Sequence, residues 1–138
     1  MRTTIKSDKI PIKFENDIGL IRKYTREYSI EANFSLLDQT KIITAASELA
    51  RNTFQYAKNG IATIELLKDE DKTGVSLFFK DEGPGIKDVN LAMQEGYSSI
   101  SHLGSLGLGL PGAKRLVNEF YILSESGKGT EIKIIRWK

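Results

Sequence analysis

Glu48 and Asn52 stand four residues apart in the segment SELARNTFQYA. On a helix that spacing puts both side chains on one face, one above the other. A carboxylate and a carboxamide there offer hard oxygen toward a shared point, which suits Mg²⁺. Taken alone, the pair is more often a plain polar stripe. A second group is DEGPGI, residues 81–86. Asp81 ends an apolar run, so a strand holds it near buried surface, where it can accept from an exocyclic amine. Gly83 and Gly85 let backbone approach a flat ligand. A type II turn with Pro84 and Gly85 at its centre accounts for the segment equally well. Third comes GSLGLGLPG, with Gly104, Gly107, Gly109 and Gly112. Glycines feeding a helix N-terminus expose backbone N–H groups, and the helix dipole favours an anion there. This is no Walker A loop, since no Gly-Lys-Ser/Thr follows, and no βαβ unit makes it a dinucleotide fingerprint. The fourth is GKGT, residues 127–130, where Thr130 offers a hydroxyl at a hairpin turn.

The elements that must position these groups are legible in outline. Residues 3–13 read as a strand, and Pro11 marks it as an edge. Ile18, Ile21, Tyr24 and Tyr28 recur at helical spacing within 17–31. Ser35 and Asp38 resemble a capping box and open a long helix from about Leu36 to Lys58, which Asn59-Gly60 stops. Strands at 61–67 and 75–79, joined by a turn over 69–74, make a hairpin. A short helix is expected at 88–95 and a loop from Gly96 to Gly109. Pro111 opens a further helix that runs through AKRLVNEF, and a hairpin with its turn at GKG closes the chain. Helices on one face of a largely antiparallel sheet follow, an α+β fold of two layers.

Composition narrows the class. The 138 residues are 40% hydrophobic and 28% charged, the profile of one globular domain spanning 1–138. No Pro- or Ser-rich linker divides them. Cysteine is absent, and the one histidine, His102, cannot build a histidine-rich metal site. No apolar stretch is long enough for a membrane span and no secretory leader is evident, so a cytoplasmic protein is expected. The net charge of +2 comes from interspersed signs, which argues against a nucleic-acid partner.

In this order the four groups form a pattern. SELARNTFQYA resembles the N-box of the GHKL (Bergerat-fold) ATPases and kinases, DEGPGI the G1 box, GLGLPG the G2 box and GKGTEI the G3 region. The resemblance covers nearly the whole chain. More narrowly, SELARN, GPGI, GLPGAKRLVNEF and GTEI resemble the serine/threonine switch kinases of bacterial stressosome pathways, with the anti-sigma-factor kinases close by. The resemblance implies a Bergerat α/β sandwich with ATP and Mg²⁺ as cofactors. It makes Asn52 the Mg²⁺ ligand and Glu48 the general base or the orienter of a metal-bound water. Asp81 would accept from the adenine amine, and Gly83 and Gly85 would shape that pocket. Gly107 and Gly109 would lie against the phosphates, with Gly104 in the lid, and Thr130 would support the adenine end. Two departures bear on the lid: GYSSISHLGSLG is long for the pattern, and Ser105 stands where glycine is usual.

The function that follows is a protein serine/threonine kinase using Mg-ATP to phosphorylate a STAS-domain antagonist protein. A sigma factor or a phosphatase is a further partner to expect, and a homodimer is left open. The alternative is a binding module that sequesters a sigma factor or regulator, with nucleotide tuning affinity. A gyrase-like clamp needs a transducer domain, and a sensor histidine kinase needs phosphoacceptor-histidine helices; neither is found in this sequence.

Overall fold

The computed structural model describes residues 1–57, 59–86, 89–93 and 109–138. The chain runs β1 (Arg2–Ile12), α1 (Asn16–Glu31), α2 (Leu36–Ala57), β2 (Gly60–Asp69), β3 (Lys72–Asp81), α3 (Val89–Ala92), α4 (Gly109–Arg115), β4 (Glu119–Glu125) and β5 (Gly129–Trp137). The strands form one sheet in the order β1-β2-β3-β5-β4, and all four pairings are antiparallel. β1 is an edge strand, which lets Pro11 sit in it without a missing ladder bond.

Strand side chains alternate between faces, so register rows assign each residue a side. One row is Ile10, Ala62, Phe79, Ile132 and Ile122; the next is Asp8, Ile64, Leu77, Ile134 and Phe120. Ala62, Ile64, Leu77 and Ile134 are fully buried. They pack against the apolar stripes of α1 and α2, among them Ile18, Ile21 and Tyr28 on α1 and Ile42, Leu49 and Ala50 on α2. Ala45, Ala46 and Ala50 are buried on α2, as is Ala113 on α4. Small side chains of this kind let helix backbones approach closely. Burying one Leu or Ile of this core contributes about 1.5–3 kcal/mol.

Two expected boundaries differ. The turn between β2 and β3 is only Glu70 and Asp71, because Glu70 itself takes the left-handed conformation (φ 55°). Gly74 is therefore in β3, and its missing side chain serves packing: a Cβ there would come within 2.6 Å of the Trp137 ring. The helix after the glycine-rich segment stops at Arg115 instead of continuing through Phe120. Pairing with β5 takes the chain first: the Asn118 N–H donates to the Ile135 carbonyl, and Asn118 Oδ1 accepts from the Trp137 N–H at 2.7 Å. Of the short helix expected at 88–95, the described residues hold one turn, Val89–Ala92, while 88, 94 and 95 lie outside the described residues.

On the face away from the helices Trp137 lies over Gly74. Arg2 and Lys72 each place a cation 5.2 Å from the ring centroid, and the indole N–H donates to Glu119 at 2.6 Å. At the same end of the sheet, on the helix side, Arg136 donates to Asp38 at 2.6 Å and to the Leu116 carbonyl at 2.9 Å.

Candidate functional site

The opposite end of the sheet is polar. Ile12, Gly60, Asp81, Thr130 and Ser124 stand in one register row across all five strands, on the helix side. The C-terminal turns of α2 lie over this row. They approach closely because the row lacks bulk: a Cβ at Gly60 would come within 2.5 Å of Thr53, and one at Gly83 within 2.6 Å of Ala57. Asp81, Gly83 and Thr130 are thus brought together beneath the helix that carries Glu48 and Asn52.

Asp81 is half-buried. Its Oδ1 accepts from the Gly83 N–H at 2.9 Å, and the Thr130 backbone N–H also donates to it. Desolvation pushes its carboxyl above the usual range, and the two backbone hydrogen bonds oppose that rise. The carboxylate is an acceptor fixed in direction by its own loop. Gly85 adopts φ +74°, and a Cβ there would strike the Glu125 carbonyl oxygen. This contact seats the 83–86 loop on the β4–β5 hairpin. The Gly127 N–H donates to the Pro84 carbonyl at 2.6 Å, and the Ile86 N–H to Ser124 Oγ at 2.7 Å. A cavity of about 380 Å³ lies at these strand ends, bordered by Asp81, Ser124, Gly129 and Thr130 and also by Lys80, Leu123 and Glu131, the neighbouring row that faces away from the helices. That volume is in the range of small-molecule clefts, roughly 300–1,000 Å³.

On α2, Glu48 is 1% exposed and Asn52 half-buried. Arg51 donates to Glu48 Oε1 at 3.4 Å, balancing a carboxylate that would otherwise be costly to bury. Gly109 is the first residue of α4, with φ 56°. Lys114 and Arg115 are exposed, as expected of a solvated helix face. Gly104 and Gly107 lie outside the described residues, as do Ser105 and His102. Among the described residues no group of three or more His, Cys, Asp or Glu is placed to hold a metal. Of the expected hard-oxygen pair, Glu48 is covered and ion-paired with Arg51, and Asn52 is the partly exposed member, whose carboxamide oxygen suits a cation that keeps most of its waters.

Sequence reasoning missed three participants. Arg51 was legible, as a cation three residues from Glu48 on the same helix face. Gly129 was present in GKGT; its Cβ would strike the Asp81 carbonyl oxygen, so only glycine lets β5 start beside Asp81. Ser124 left a fainter signal, a hydroxyl at an inward position of a strand whose other inward residues are Phe120 and Ile122.

Comparison with known proteins bears on the family and the fold. The family described as histidine kinase-, DNA gyrase B-, and HSP90-like ATPase matches residues 37–138. The chain belongs to that ATPase family. Within it, the chain is 44% identical over 128 residues to the serine/threonine-protein kinase RsbT of Bacillus subtilis (strain 168), covering 93% of this chain and 94% of that protein. The anti-sigma F factor of Caldanaerobacter subterraneus subsp. tengcongensis is 31% identical over 128 residues, covering 91% of this chain and 87% of that one. A crystal structure of the RsbU and RsbW domains of Rv1364c from Mycobacterium tuberculosis shares the fold, with a TM-score of 0.62 at 20% identity. That match covers 95% of this chain and 31% of the larger one. The chain falls with the serine/threonine kinases of partner-switching regulation.

Proposed function

We propose that this kinase holds Mg-ATP between α2 and the polar row of the sheet, and that it phosphorylates a serine or threonine of a STAS-domain antagonist protein. The observation that carries the reading is the convergence of Asp81, Thr130 and three close-packed glycines, Gly60, Gly83 and Gly85, at one sheet end beneath the helix bearing Glu48 and Asn52. The 44% identity to a serine/threonine-protein kinase over nearly the full length of both chains supports the acceptor class.

When bound, Mg-ATP supplies the transferable phosphoryl group and a metal charge that offsets the charge on its oxygens. The chain's part is chiefly positioning. Asp81 accepts from the adenine amine, Gly83 and Gly85 let the base lie close to backbone, and Thr130 flanks the same edge. Asn52 offers its carboxamide oxygen to the metal. Gly109 exposes backbone beside the phosphates, with Gly104 and Gly107 in the segment before it. Glu48 is almost wholly covered and bridged to Arg51. Burial favours the role of orienting a metal-bound water over direct proton removal from a protein hydroxyl. The need for ATP places this work in the cytoplasm.

A second reading draws on the 31% identity to an anti-sigma F factor. In it the same chain sequesters a sigma factor or regulator, and nucleotide occupancy tunes that grip.

The test is calorimetric titration with ATP, with and without Mg²⁺, followed by phosphoryl transfer to a purified STAS-domain protein. Asn52→Ala should lower metal-dependent affinity or transfer by roughly 10–100-fold. Full affinity and transfer in that variant would remove Asn52 from the site. Binding without any transfer would favour the second reading.

A further inference from the structure

Ser124 faces Thr130 across the β4–β5 pair and touches three groups at once. Its Oγ lies 2.7 Å from the Ile86 backbone nitrogen, 3.0 Å from the Gly129 carbonyl oxygen and 2.8 Å from Thr130 Oγ1. A serine hydroxyl has one hydrogen to give and two lone pairs to receive. The amide can only donate and the carbonyl can only accept. The Ser124 hydrogen therefore goes to Gly129, and one lone pair takes the Ile86 N–H. The contact with Thr130 is satisfied only if Thr130 donates its hydrogen to the remaining lone pair. With its one hydrogen committed, the Thr130 hydroxyl turns only lone pairs toward anything else.

Asp81, the register partner of Thr130 on its other side, is also an acceptor. Its carboxylate takes the Gly83 N–H at 2.9 Å and the Thr130 N–H. Asp81, Thr130 and Ser124 stand side by side in one register row, so their side chains project from the same face of the sheet. We propose that Ser124 is a specificity-determining residue: by holding Thr130 as an acceptor beside Asp81, it makes the site accept a purine with an amine at the six-position and reject one with a carbonyl there. The proposal rests on the reading that ATP binds at this row. An amine brings two N–H donors to two acceptors. A six-carbonyl sets lone pairs against lone pairs, and an unmet polar group in a covered site costs about tenfold or more in affinity.

Ser124 acts through Thr130, so it is a positioning residue, and the readout is a ratio. Affinities for ATP and for inosine triphosphate, which differs at the six-position and the adjoining ring nitrogen, are measured by calorimetry on four proteins. The unmutated chain should prefer ATP by about a hundredfold or more. Ser124→Ala frees the Thr130 hydrogen, and the ATP-to-ITP ratio should fall about tenfold, mainly through tighter ITP. Ser124→Thr, which keeps the hydroxyl, should restore the ratio. Thr130→Val removes one of the two acceptors without touching Ser124, and should lower the ratio by weakening ATP. Should Ser124→Ala fail to fold, the same ratio is read on Ser124→Cys, whose thiol is a poor acceptor for the Thr130 hydrogen, and it should fall likewise. An unchanged ratio in the folded variants, with ATP still bound, overturns the role of Ser124 and leaves the nucleotide site standing. An unmutated chain that binds neither nucleotide overturns both.

Discussion

Gly85 and Gly127 both adopt positive φ, +74° and +81°, yet they are not equivalent. A Cβ on Gly127 would meet nothing within 4 Å, whereas one on Gly85 would strike the Glu125 carbonyl. Gly127→Ala should therefore lose only the left-handed backbone preference, about 1–2 kcal/mol. Gly85→Ala adds a backbone collision that no rotamer can relieve. It should cost at least about 2–3 kcal/mol and weaken nucleotide binding, because the 83–86 loop must leave the hairpin. Urea unfolding midpoints at matched slope distinguish the two, and equal losses would show that the loop is not seated as described. At this scale the sequence showed which residues were available but not how they meet. Asp81, Gly83 and Gly85 stand out in DEGPGI. The hydrogen bond from Gly83 is local, but the seat of Gly85 on Glu125 depends on a hairpin some forty residues further on. Local spacing carries no information about such a partner.

Among the elements, α2 shows what a start signal can and cannot say. Ser35 does cap the helix: its Oγ accepts from the Asp38 N–H at 3.1 Å. The carboxylate of Asp38 spends itself elsewhere, on Arg136 at the far end of β5. That ion pair joins the first turn of α2 to the last strand, and the second Arg136 nitrogen bonds the chain just past α4. The Arg136 hydrogen bond, helped by its charge and by Ser35, holds the Asp38 carboxyl below its ordinary value of 3.8. A carboxyl depressed in the folded state stabilises the fold above its unfolded value and loses that contribution as pH falls through the folded one. Asp38→Asn should thus cost about 1–2 kcal/mol near neutrality, since the pair is only partly covered. The gap between variant and parent should hold constant above about pH 5 and close below about pH 4. Thermal melts across that range provide the check, and a gap that persists at low pH would assign the loss to packing instead. The premature end of α4 has the same lesson. AKRLVNEF has the composition of a helix, but Asn118 and Glu119 pair with β5, and a ladder with a distant strand outweighed local propensity.

For the molecule as a whole, the sheet separates two kinds of work. Its middle rows are apolar and bury the core, its Asp81 end carries the polar row, and its other end is closed by Arg136 and Trp137. The class of fold was legible because alternation and helical periodicity are local signals. Strand order was not, because β5 inserts between β3 and β4. That insertion is what sets Thr130 beside Asp81, so the site could be suspected from its motifs but not assembled from them.

Trp137 is the single tryptophan of the chain and pairs with Gly74, seven residues along β3 from Asp81. At roughly 3.3 Å per residue the indole lies about 23 Å from the nucleotide end. The chain thereby carries an optical gauge of its own. Emission from that ring, with the Arg2 and Lys72 cations close by, should shift when the sheet comes apart and stay silent when ATP is added. One cuvette can then follow integrity without interference from ligand. A spectral change on adding ATP to the intact protein would reveal that the two ends of the sheet are mechanically coupled.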